Sequence, residues 1–429
     1  MRSQSRGRRV SVLPALLLVA SAALISQAQS IPSAENDTIP GWKQWTSQLE
    51  QLDSKILSRL PERLRNDPQV RQEAGRLLLE AVASKSLAAL GDDVEHPVFL
   101  PSINFYLNIG QPNVDTTYRS AAVDATGSYR LRGEIGSLRI LRVGLFGTLP
   151  AGSTLHLPIP TYYDFKALHL GSNGSFDVVL SPERPAGHTG DWWQLKPNTS
   201  LLLLRQVAFD WKTERDPRIS IERLDRPVER PRPSADALQK RLQTLADEIS
   251  NIALLFVDHV EGLRKEGYIN RLKVFDVSHM GGLVGQFYYE GAYDLQPDEA
   301  LILESKVPSG CSYWSILLTN DLYETTDWYN NQSSLNGSQA RVDADGVVRY
   351  VVSAKDPGVP NWLDIAGYRS GAIQGRWAEC SNNPVPSVHK VAFADVHKSL
   401  PAETPVITPE QREQIVRERR SEVQQRPLW

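Results

Sequence analysis

The stretch of sequence that decides the fold runs from residue 288 to residue 377 and reads YYEGAYDLQPDEALILESKVPSGCSYWSILLTNDLYETTDWYNNQSSLNGSQARVDADGVVRYVVSAKDPGVPNWLDIAGYRSGAIQGRW. Three runs in it are rich in Val, Ile, Leu, Tyr and Trp and are bounded by Gly, Pro, Asn or Asp, which is typical of β-strands. These runs are Ala300 to Val307, Tyr313 to Leu318 and Val347 to Ser353. The stretch therefore predicts a β domain.

Aromatic, amide and charged residues are concentrated in the connections of this domain. On loops held by a rigid sheet, such side chains suit recognition, because Tyr and Trp faces stack on sugars or flat ligands while Asn and Arg bind hydroxyls or carboxylates. An alternative is that Trp362 only fills the end of the domain. With two residues from the first half of the chain, the predicted ligand-binding residues are Tyr118, Arg119, Tyr289, Trp328, Asn331, Asn361, Trp362, Arg369, Arg376 and Trp377.

Three carboxylates are candidates for catalysis. Asp115, Glu290 and Asp364 would supply a general acid and a general base if two of them converged in a cleft. The alternative is structural, since an Asp beside an Arg or at a turn commonly caps backbone amides or forms an ion pair.

Composition excludes several classes of function. The net charge of -3 gives no basic surface for nucleic acid. The two Cys and eight His residues show no metal-binding spacing, and no phosphate-binding glycine loop occurs. We therefore expect no metal, no cofactor and no nucleic-acid partner. The 429 residues are enough for two domains.

The N-terminus has the order of a secretory signal peptide. Basic residues precede an apolar run from Val10 to Ile25, and Ser26-Gln27-Ala28 resembles a cleavage site. We expect a leader over residues 1–28, a periplasmic or secreted protein and no membrane span once the leader is removed. An uncleaved anchor is the alternative. In an exported chain, the pair Cys311 and Cys380 favours a disulfide over two separate buried thiols.

The rest of the chain divides by periodicity into five further segments. Within residues 29–95 the sequence predicts two helices. The first runs from Trp42 to Leu60. The second has Asp67 as its N-cap and Pro68 at its first position, and it continues up to Leu90. We expect these helices to pack on the outside of a first β domain, residues 96–230. That domain predicts strands at Tyr129 to Ile135, Leu138 to Phe146, Ser153 to Ile159, Phe176 to Leu180, Leu201 to Phe209 and Ile219 to Leu224.

A proline-rich and arginine-rich linker follows the first β domain, and residues 234–267 then predict one long connecting helix, Ala235 to Glu266. Residues 268–400 form the second β domain, which includes a strand-like run from Val388 to Phe393. Residues 401–429 form a tail whose Thr408-Pro-Glu-Gln411 is a capping box that begins a helix to about Gln425. The fold class is thus mainly β with helical additions: two sandwich-like or jelly-roll-like domains joined by a long helix.

Several blocks of the second domain resemble a known family. They are Tyr289 to Asp294, Tyr313 to Leu318, Asp343 to Gly346, the sequence DPGVPNWLD at 356–364, and Gly375 to Trp377. The chain resembles a mostly bacterial family of unknown function, whose C-terminal domain is catalogued as twelve-fourteen and whose other domain is catalogued as twelve-fifty-four.

The first half of the chain matches this family more loosely, through residues 111–119 and 192–211. The resemblance implies two β-rich domains, a sandwich and a jelly roll, with no settled activity. Many relatives carry His where this chain has Tyr368, which argues against a His-centred mechanism at that position.

These observations favour a protein that binds a small or oligomeric polar ligand, such as a glycan, in a cleft of the second β domain. One alternative is a carboxylate-based hydrolase or lyase acting on such a ligand. Another is an envelope or assembly component, in which the apolar positions from Leu238 to Leu263 form the seam of a homodimer.

Overall fold

The computed structural model describes residues 39–148, 156–277 and 282–428. Within these ranges the chain forms eighteen β-strands in four sheets, together with seven α-helices. The fold is therefore mainly β with helical additions, as the sequence predicts. The leader expected over residues 1–28 lies outside the described residues.

The first four helices are α1 (Trp42–Leu49), α2 (Leu52–Arg59), α3 (Glu62–Arg65) and α4 (Pro68–Gly91). A single helix from Trp42 to Leu60 is therefore wrong. The backbone N–H of Gln51 bonds the carbonyl of Gln48, three residues back, and the chain turns there. The start of α4 agrees with the prediction, because the Asp67 side chain accepts a hydrogen bond from the Gln69 N–H at 2.8 Å.

The sequence led us to expect these helices on the outside of the first β domain. Their apolar faces pack on another helix instead. Their apolar residues form a common core with α5 (Ala237–Leu254), in which Leu52, Ile56 and Leu77 meet Leu245 and Ile249. An amphipathic helix needs an apolar surface against which to bury its stripe, and these helices provide that surface for one another. The same contact covers the apolar face of α5 within the chain.

The long helix predicted from Ala235 to Glu266 is divided into α5 and α6 (His259–Lys265). Residues 255–258 form the break. The physical reason is that the two halves bury different faces: α5 packs on the N-terminal helices, whereas Val260 and Leu263 of α6 pack beside Ala292 and Tyr323. One straight helix cannot reach both surfaces.

The first sandwich contains two sheets, of strand order β1-β2-β8-β4-β5 and β7-β6-β3-β9. Its strands are β1 (Leu100–Pro101), β2 (Thr116–Ala122), β3 (Tyr129–Glu134), β4 (Ile140–Thr148), β5 (His156–Asp164), β6 (Ser175–Ser181), β7 (Asp191–Gln194), β8 (Thr199–Val207) and β9 (Arg218–Arg223). Alternate residues of both sheets, such as Leu131, Leu145 and Leu202, form the core between them.

The second sandwich also has two sheets, of strand order β10-β11-β17-β13-β14 and β16-β15-β12-β18. Its strands are β10 (Lys273–Val274), β11 (Gln286–Asp294), β12 (Glu299–Lys306), β13 (Tyr313–Leu318), β14 (Ser334–Asn336), β15 (Val347–Ser353), β16 (Trp362–Asp364), β17 (Ser370–Ala378) and β18 (Ser387–Ala392). The bounds of β13 and β15 are those predicted from sequence. The core between the sheets includes Tyr289, Leu303, Trp314 and Trp377.

Two features secure the C-terminal part of the chain. Cys311 and Cys380 form the predicted disulfide. Helix α7 (Pro409–Gln425) begins at the predicted capping box, in which Thr408 and Gln411 bond reciprocally. None of the described helices is long and apolar enough to cross a membrane.

The two sandwiches pack together through the sheets that contain β8 and β11. Ile140 and Val207 of the first sandwich meet Leu283, Tyr313 and Ala378 of the second. Each of these sheets therefore has one face in its own sandwich core and a second face directed at the other sandwich. The candidate functional site is a cavity between these second faces.

Candidate functional site

A cavity of about 330 Å³ lies between the two sandwiches, with α4 and α5 beside it. Its walls come from alternate residues of β2 and β8 in the first sandwich and of β11 and β17 in the second. Successive side chains of a strand point to opposite faces, so these residues face the cavity while their neighbours fill the cores. Residues of β8 and β17 show the pattern: Leu203, Arg205, Gln374 and Arg376 line the cavity, whereas Leu204 and Ile373 are core.

Arg376 is the most unusual residue of the wall, because its guanidinium is buried without a carboxylate. The residue is 3% exposed. One terminal nitrogen donates to Oε1 of Gln374 at 2.6 Å, and the guanidinium carbon lies 5.5 Å from the ring centre of Tyr288. Among the residues that the structure describes, Nε of Arg376 has no hydrogen-bond partner, and no carboxylate is within ion-pair distance.

Arg205 approaches the same space from the first sandwich. Its guanidinium carbon lies 5.7 Å from the ring centre of Tyr118 and 5.9 Å from that of Tyr162. The hydroxyl of Tyr288 is within hydrogen-bonding reach of Arg205. Tyr288 therefore contacts both arginines and connects the two walls.

Both guanidiniums remain charged. Burial acts to lower the pKa of Arg376, but Tyr313, Tyr288, Tyr118 and Asp115 together outweigh it and the pKa lies above its ordinary value. The pKa of Arg205 is likewise raised, because burial is outweighed by Tyr162, Tyr118 and Tyr288. Each wall thus carries a permanent positive charge next to the cavity.

A chain of hydrogen bonds leads from Arg376 into the protein. Gln374 donates from Nε2 to the hydroxyl of Tyr323 at 2.8 Å, and that hydroxyl donates to Oε2 of Glu290 at 3.3 Å. The same carboxylate oxygen is 3.0 Å from Nε2 of His259. Glu290 is fully buried and lies outside the described lining of the cavity, with His259 beside it.

Asp115 lies at the junction of the two sandwiches. Its carboxylate accepts hydrogen bonds from the hydroxyl of Tyr313 at 2.6 Å, from Nε1 of Trp211 at 2.8 Å and from Nδ2 of Asn336 at 2.8 Å. Burial raises the pKa of Asp115, although these three donors act to lower it. The contacts make Asp115 a structural joint between residues far apart in sequence.

The structure does not bring the three candidate carboxylates into one cleft. Asp115 and Glu290 share no hydrogen-bond partner among the described residues, and Asp364 accepts from the N–H of Ala366 at 2.7 Å in a separate loop. Burial raises the pKa of Asp364, too. None of the three belongs to the described lining of the cavity.

Of the predicted ligand-binding residues, Tyr118 and Arg376 line the cavity. Trp362 does not: it is 8% exposed, donates from Nε1 to the Ser353 carbonyl at 3.2 Å and lies under the guanidinium of Arg412 at 5.2 Å. Its surroundings are those of a residue that fills the end of the sandwich.

The remaining predicted residues also lie outside the cavity lining. Tyr289 and Trp377 belong to the core of the second sandwich, and Trp328 packs at the contact between the sandwiches. The side chain of Asn361 bonds backbone groups of Arg341, and Arg119 donates to Gln206. Asn331 is partly buried and Arg369 is exposed.

Sequence reasoning missed Arg205, Gln374, Tyr288 and Tyr323 as residues of the site. A signal was present in β8 and β17, where a lone Arg follows a run of Leu (LLLLRQV, 201–207) and polar residues alternate within an apolar strand (AIQGRW, 372–377). A charged residue at a buried strand position needs a polar partner or a cavity.

Metal ligation has no support among the described residues, because no group of three or more His, Cys, Asp or Glu side chains is arranged to hold an ion.

The family model described as protein of unknown function (DUF1214) matches residues 293–373. No curated protein matches the chain. A solved structure of an uncharacterised protein from Vibrio parahaemolyticus aligns with a TM-score of 0.42 at 13% identity, over 80% of this chain and 100% of that chain. The crystal structure of an uncharacterised protein from Burkholderia cenocepacia aligns with a TM-score of 0.76 at 30% identity, over 83% of this chain and 98% of that chain. With this identity over almost the whole length of the second protein, the chain belongs to the bacterial family of unknown function that carries the DUF1214 domain.

Proposed function

We propose that this protein binds a small polar ligand in the cavity between its two sandwiches. The observation that carries the proposal is Arg376, a buried cation on the cavity wall with no ion-pair partner among the described residues. The second β domain, in which the sequence suggested a cleft, supplies one wall of this cavity, and β2 and β8 supply the other.

The energetics of burial support this reading of Arg376. Removing a guanidinium from water costs several kcal/mol, and proteins usually offset that cost with a carboxylate and a complete set of acceptors. Arg376 has the acceptor Gln374 and the face of Tyr288, and both of these also line the cavity. A ligand with an acceptor group would complete the set.

The cavity volume favours a small ligand over an oligomer. About 330 Å³ is at the lower end of the range for small-molecule sites. A single sugar unit is compatible with this volume, and the tyrosines around the arginines are suited to it. The oligomeric glycan considered from sequence has no comparable support.

Export remains part of the proposal. The Cys311–Cys380 disulfide supports it, because such bonds persist mainly in oxidising compartments. N-terminal sequencing of the mature protein tests it: cleavage after Ala28 is expected, and a cytoplasmic product that retains Met1 would contradict export.

The two alternative functions gain less from the structure. A hydrolase or lyase built on Asp115, Glu290 and Asp364 would need two of them in the cavity, and none of them is in its described lining. A homodimer seam along α5 would need Leu245 and Ile249, which are covered by α2 and α4 of the same chain.

Thermal-shift screening of sugars, polyols and organic acids against the full chain tests the proposed function. A variant that fills the cavity, Ser120→Phe, is the matched comparison, because Ser120 lines the cavity on β2. We expect ligands that stabilise the parent protein to lose their effect in this variant. Equal stabilisation of both proteins by every ligand found would remove the cavity from consideration.

A further inference from the structure

We infer that the ligand of this cavity is an organic anion, whose charged head is bound between Arg376 and Arg205 and whose apolar body contacts α5. This inference rests on the proposed function, because it names the class of ligand for the same cavity. A carboxylate and a phosphate monoester are the two heads that a guanidinium fork recognises by paired hydrogen bonds.

The described lining of the cavity carries more cations than carboxylates. Among the described residues that line the cavity, the cations are Lys85, Arg205 and Arg376, and the one carboxylate is Asp92. The pKa of His156 is lowered to about 4 by burial and by Lys85, so this imidazole is neutral at pH 7. Three cations against one carboxylate leave the lining positive.

Most of the positive charge of the lining lies on the two facing sheets. Lys85 and Arg241 both act on Asp92, so the single lining carboxylate already has cations of its own on the helical side. The two arginines belong to the facing sheets instead, and Tyr288 and Tyr118 influence both of them. Two positive groups on facing walls, beside the same tyrosines, favour an anion over a neutral ligand in the space they line.

No carboxylate of the described residues forms an ion pair with Arg376. Asp115 acts on Arg376 from a distance, but its oxygens accept from Tyr313, Trp211 and Asn336. Glu290 is separated from Arg376 by Gln374 and Tyr323 and is bonded to His259. The partners of Asp115 and of Oε2 of Glu290 are thus other groups, Oε1 of Glu290 has no hydrogen-bond partner among the described residues, and neither carboxylate contacts Arg376.

The cavity also has an apolar side, which would contact the body of the ligand. The side of the cavity formed by α5 and the segment after it carries Ile252, Leu255 and Phe256, and β8 adds Leu201 and Leu203. Apolar walls favour burial of hydrocarbon. The combination of a cationic sheet surface and an apolar helical side fits a compact acid with a ring or a short chain.

Calorimetric titration of the full, disulfide-bonded chain with matched probes tests the inference. The anionic probes are benzoate, phenylacetate, hexanoate and phenyl phosphate. Their neutral counterparts are benzamide, phenylacetamide, hexanamide and benzyl alcohol, and acetate and inorganic phosphate supply the heads without a body. We expect at least one organic anion to bind about tenfold or more tightly than both its neutral counterpart and its bare head. Comparison of the carboxylate probes with phenyl phosphate then shows which of the two charged groups the cavity prefers.

Variants assign the effect to the site. Arg376→Gln should weaken the best anion by about tenfold or more, and Arg376→Lys should restore part of the affinity. Arg417→Gln, on an exposed pair with Glu413 at the surface of α7, is the matched control and should change nothing. If Arg376→Gln fails to fold, Ser120→Phe serves in its place, because it fills the cavity and leaves the charged residues of the lining unchanged.

The outcomes separate this inference from the proposed function. Neutral probes or sugars that bind as well as the anions, and that lose binding in Ser120→Phe, would overturn the anion class while supporting the cavity as a binding site. Anions that bind Arg376→Gln as tightly as the parent would also overturn the anion class. If no anion and no neutral probe binds at millimolar concentration, both proposals fail.

Discussion

Arg376 and Tyr288 lie directly opposite each other on the neighbouring strands β17 and β11, with the guanidinium carbon 5.5 Å from the ring centre. The pairing places a permanent cation against an aromatic face at the contact between two sandwiches. The cation is 3% exposed and has no ion pair among the described residues, so the loss of its water shell is offset by Gln374, the tyrosines and Asp115 at a distance, and a ligand with an acceptor group would complete its surroundings.

We expect Arg376→Met to change the unfolding free energy of the ligand-free protein by less than about 1 kcal/mol, because the desolvation of the guanidinium and its contacts with Gln374 and Tyr288 oppose each other and Met keeps most of the volume. Gln374 would lose a donor, but it lines the cavity, where water can replace the bond. Denaturant titration measures the change. Arg417→Met, at an exposed pair, should stay within about 0.5 kcal/mol of the parent. A large loss of stability in Arg376→Met would mean that the arginine is a structural tie.

Trp362→Ala should destabilise the protein by roughly 3–5 kcal/mol, because the indole packs with Val351, Val359 and Val396 and its N–H bonds the Ser353 carbonyl. Ligand binding should persist, since Trp362 is outside the cavity lining. Thermal melting with calorimetric binding on the same samples checks both expectations. Trp362→Phe, which keeps a ring, should lose less. Normal stability with lost binding would restore Trp362 as a ligand platform.

Removal of the disulfide by Cys311→Ser with Cys380→Ser should cost about 4 kcal/mol in the chain-entropy account, since the two residues are 69 positions apart. The unfolding free energy of the double variant should match that of the parent in reductant. Unreduced mass spectrometry should show the linked peptides in the parent. Two freely alkylated thiols in the native parent would contradict the bond.

Stability should fall as the pH rises through the range from about 4.5 to 8, because burial raises the pKa of Glu324 to about 8, with help from Glu80. In that window the folded protein holds a proton that the unfolded chain has released, so rising pH favours unfolding. Among the residues that the structure describes, the carboxylate has one donor, Nδ2 of Asn320 at 2.7 Å, and Arg76 and Glu73 on α4 act on it as well.

Glu324→Gln, which mimics the protonated form, should remove roughly 2–4 kcal/mol of this decline between pH 5 and pH 8.5. The measurement is the unfolding free energy in denaturant at each pH. Glu413→Gln, an exposed residue of α7, is the control and should keep the slope of the parent. An unchanged slope in Glu324→Gln would show that the carboxylate is ionised in the folded protein throughout this range.

Local signals in the sequence were sufficient for much of the fold. The strands β13 and β15 have their predicted bounds because apolar runs between turn residues report a strand whatever surrounds it. The starts of α4 and α7 follow from caps whose hydrogen bonds lie within a few residues. The disulfide followed from there being a single cysteine pair in one domain.

Features that depend on packing were not predictable in the same way. The periodicity of residues 235–266 indicates one helix, but α5 and α6 bury their apolar faces against different partners, and the chain turns between them. Strands β11 and β17 are buried on both faces between the two sandwiches, and neither was predicted, because Gly and polar residues interrupt the apolar run expected of a strand that is buried on both faces.

The sequence by itself determined the mainly β class, most strands of the two sandwiches, the helix caps and the cysteine pair, because each depends on neighbours along the chain. Only the tertiary structure decided that Trp362 is core, that Arg205 and Arg376 face one cavity and that Asp115 joins Tyr313 to Trp211. Arg205 and Arg376 stand far apart along the chain, and their meeting depends on how two sheets pack face to face. No local pattern encodes that packing, because it is set by the complementarity of whole surfaces.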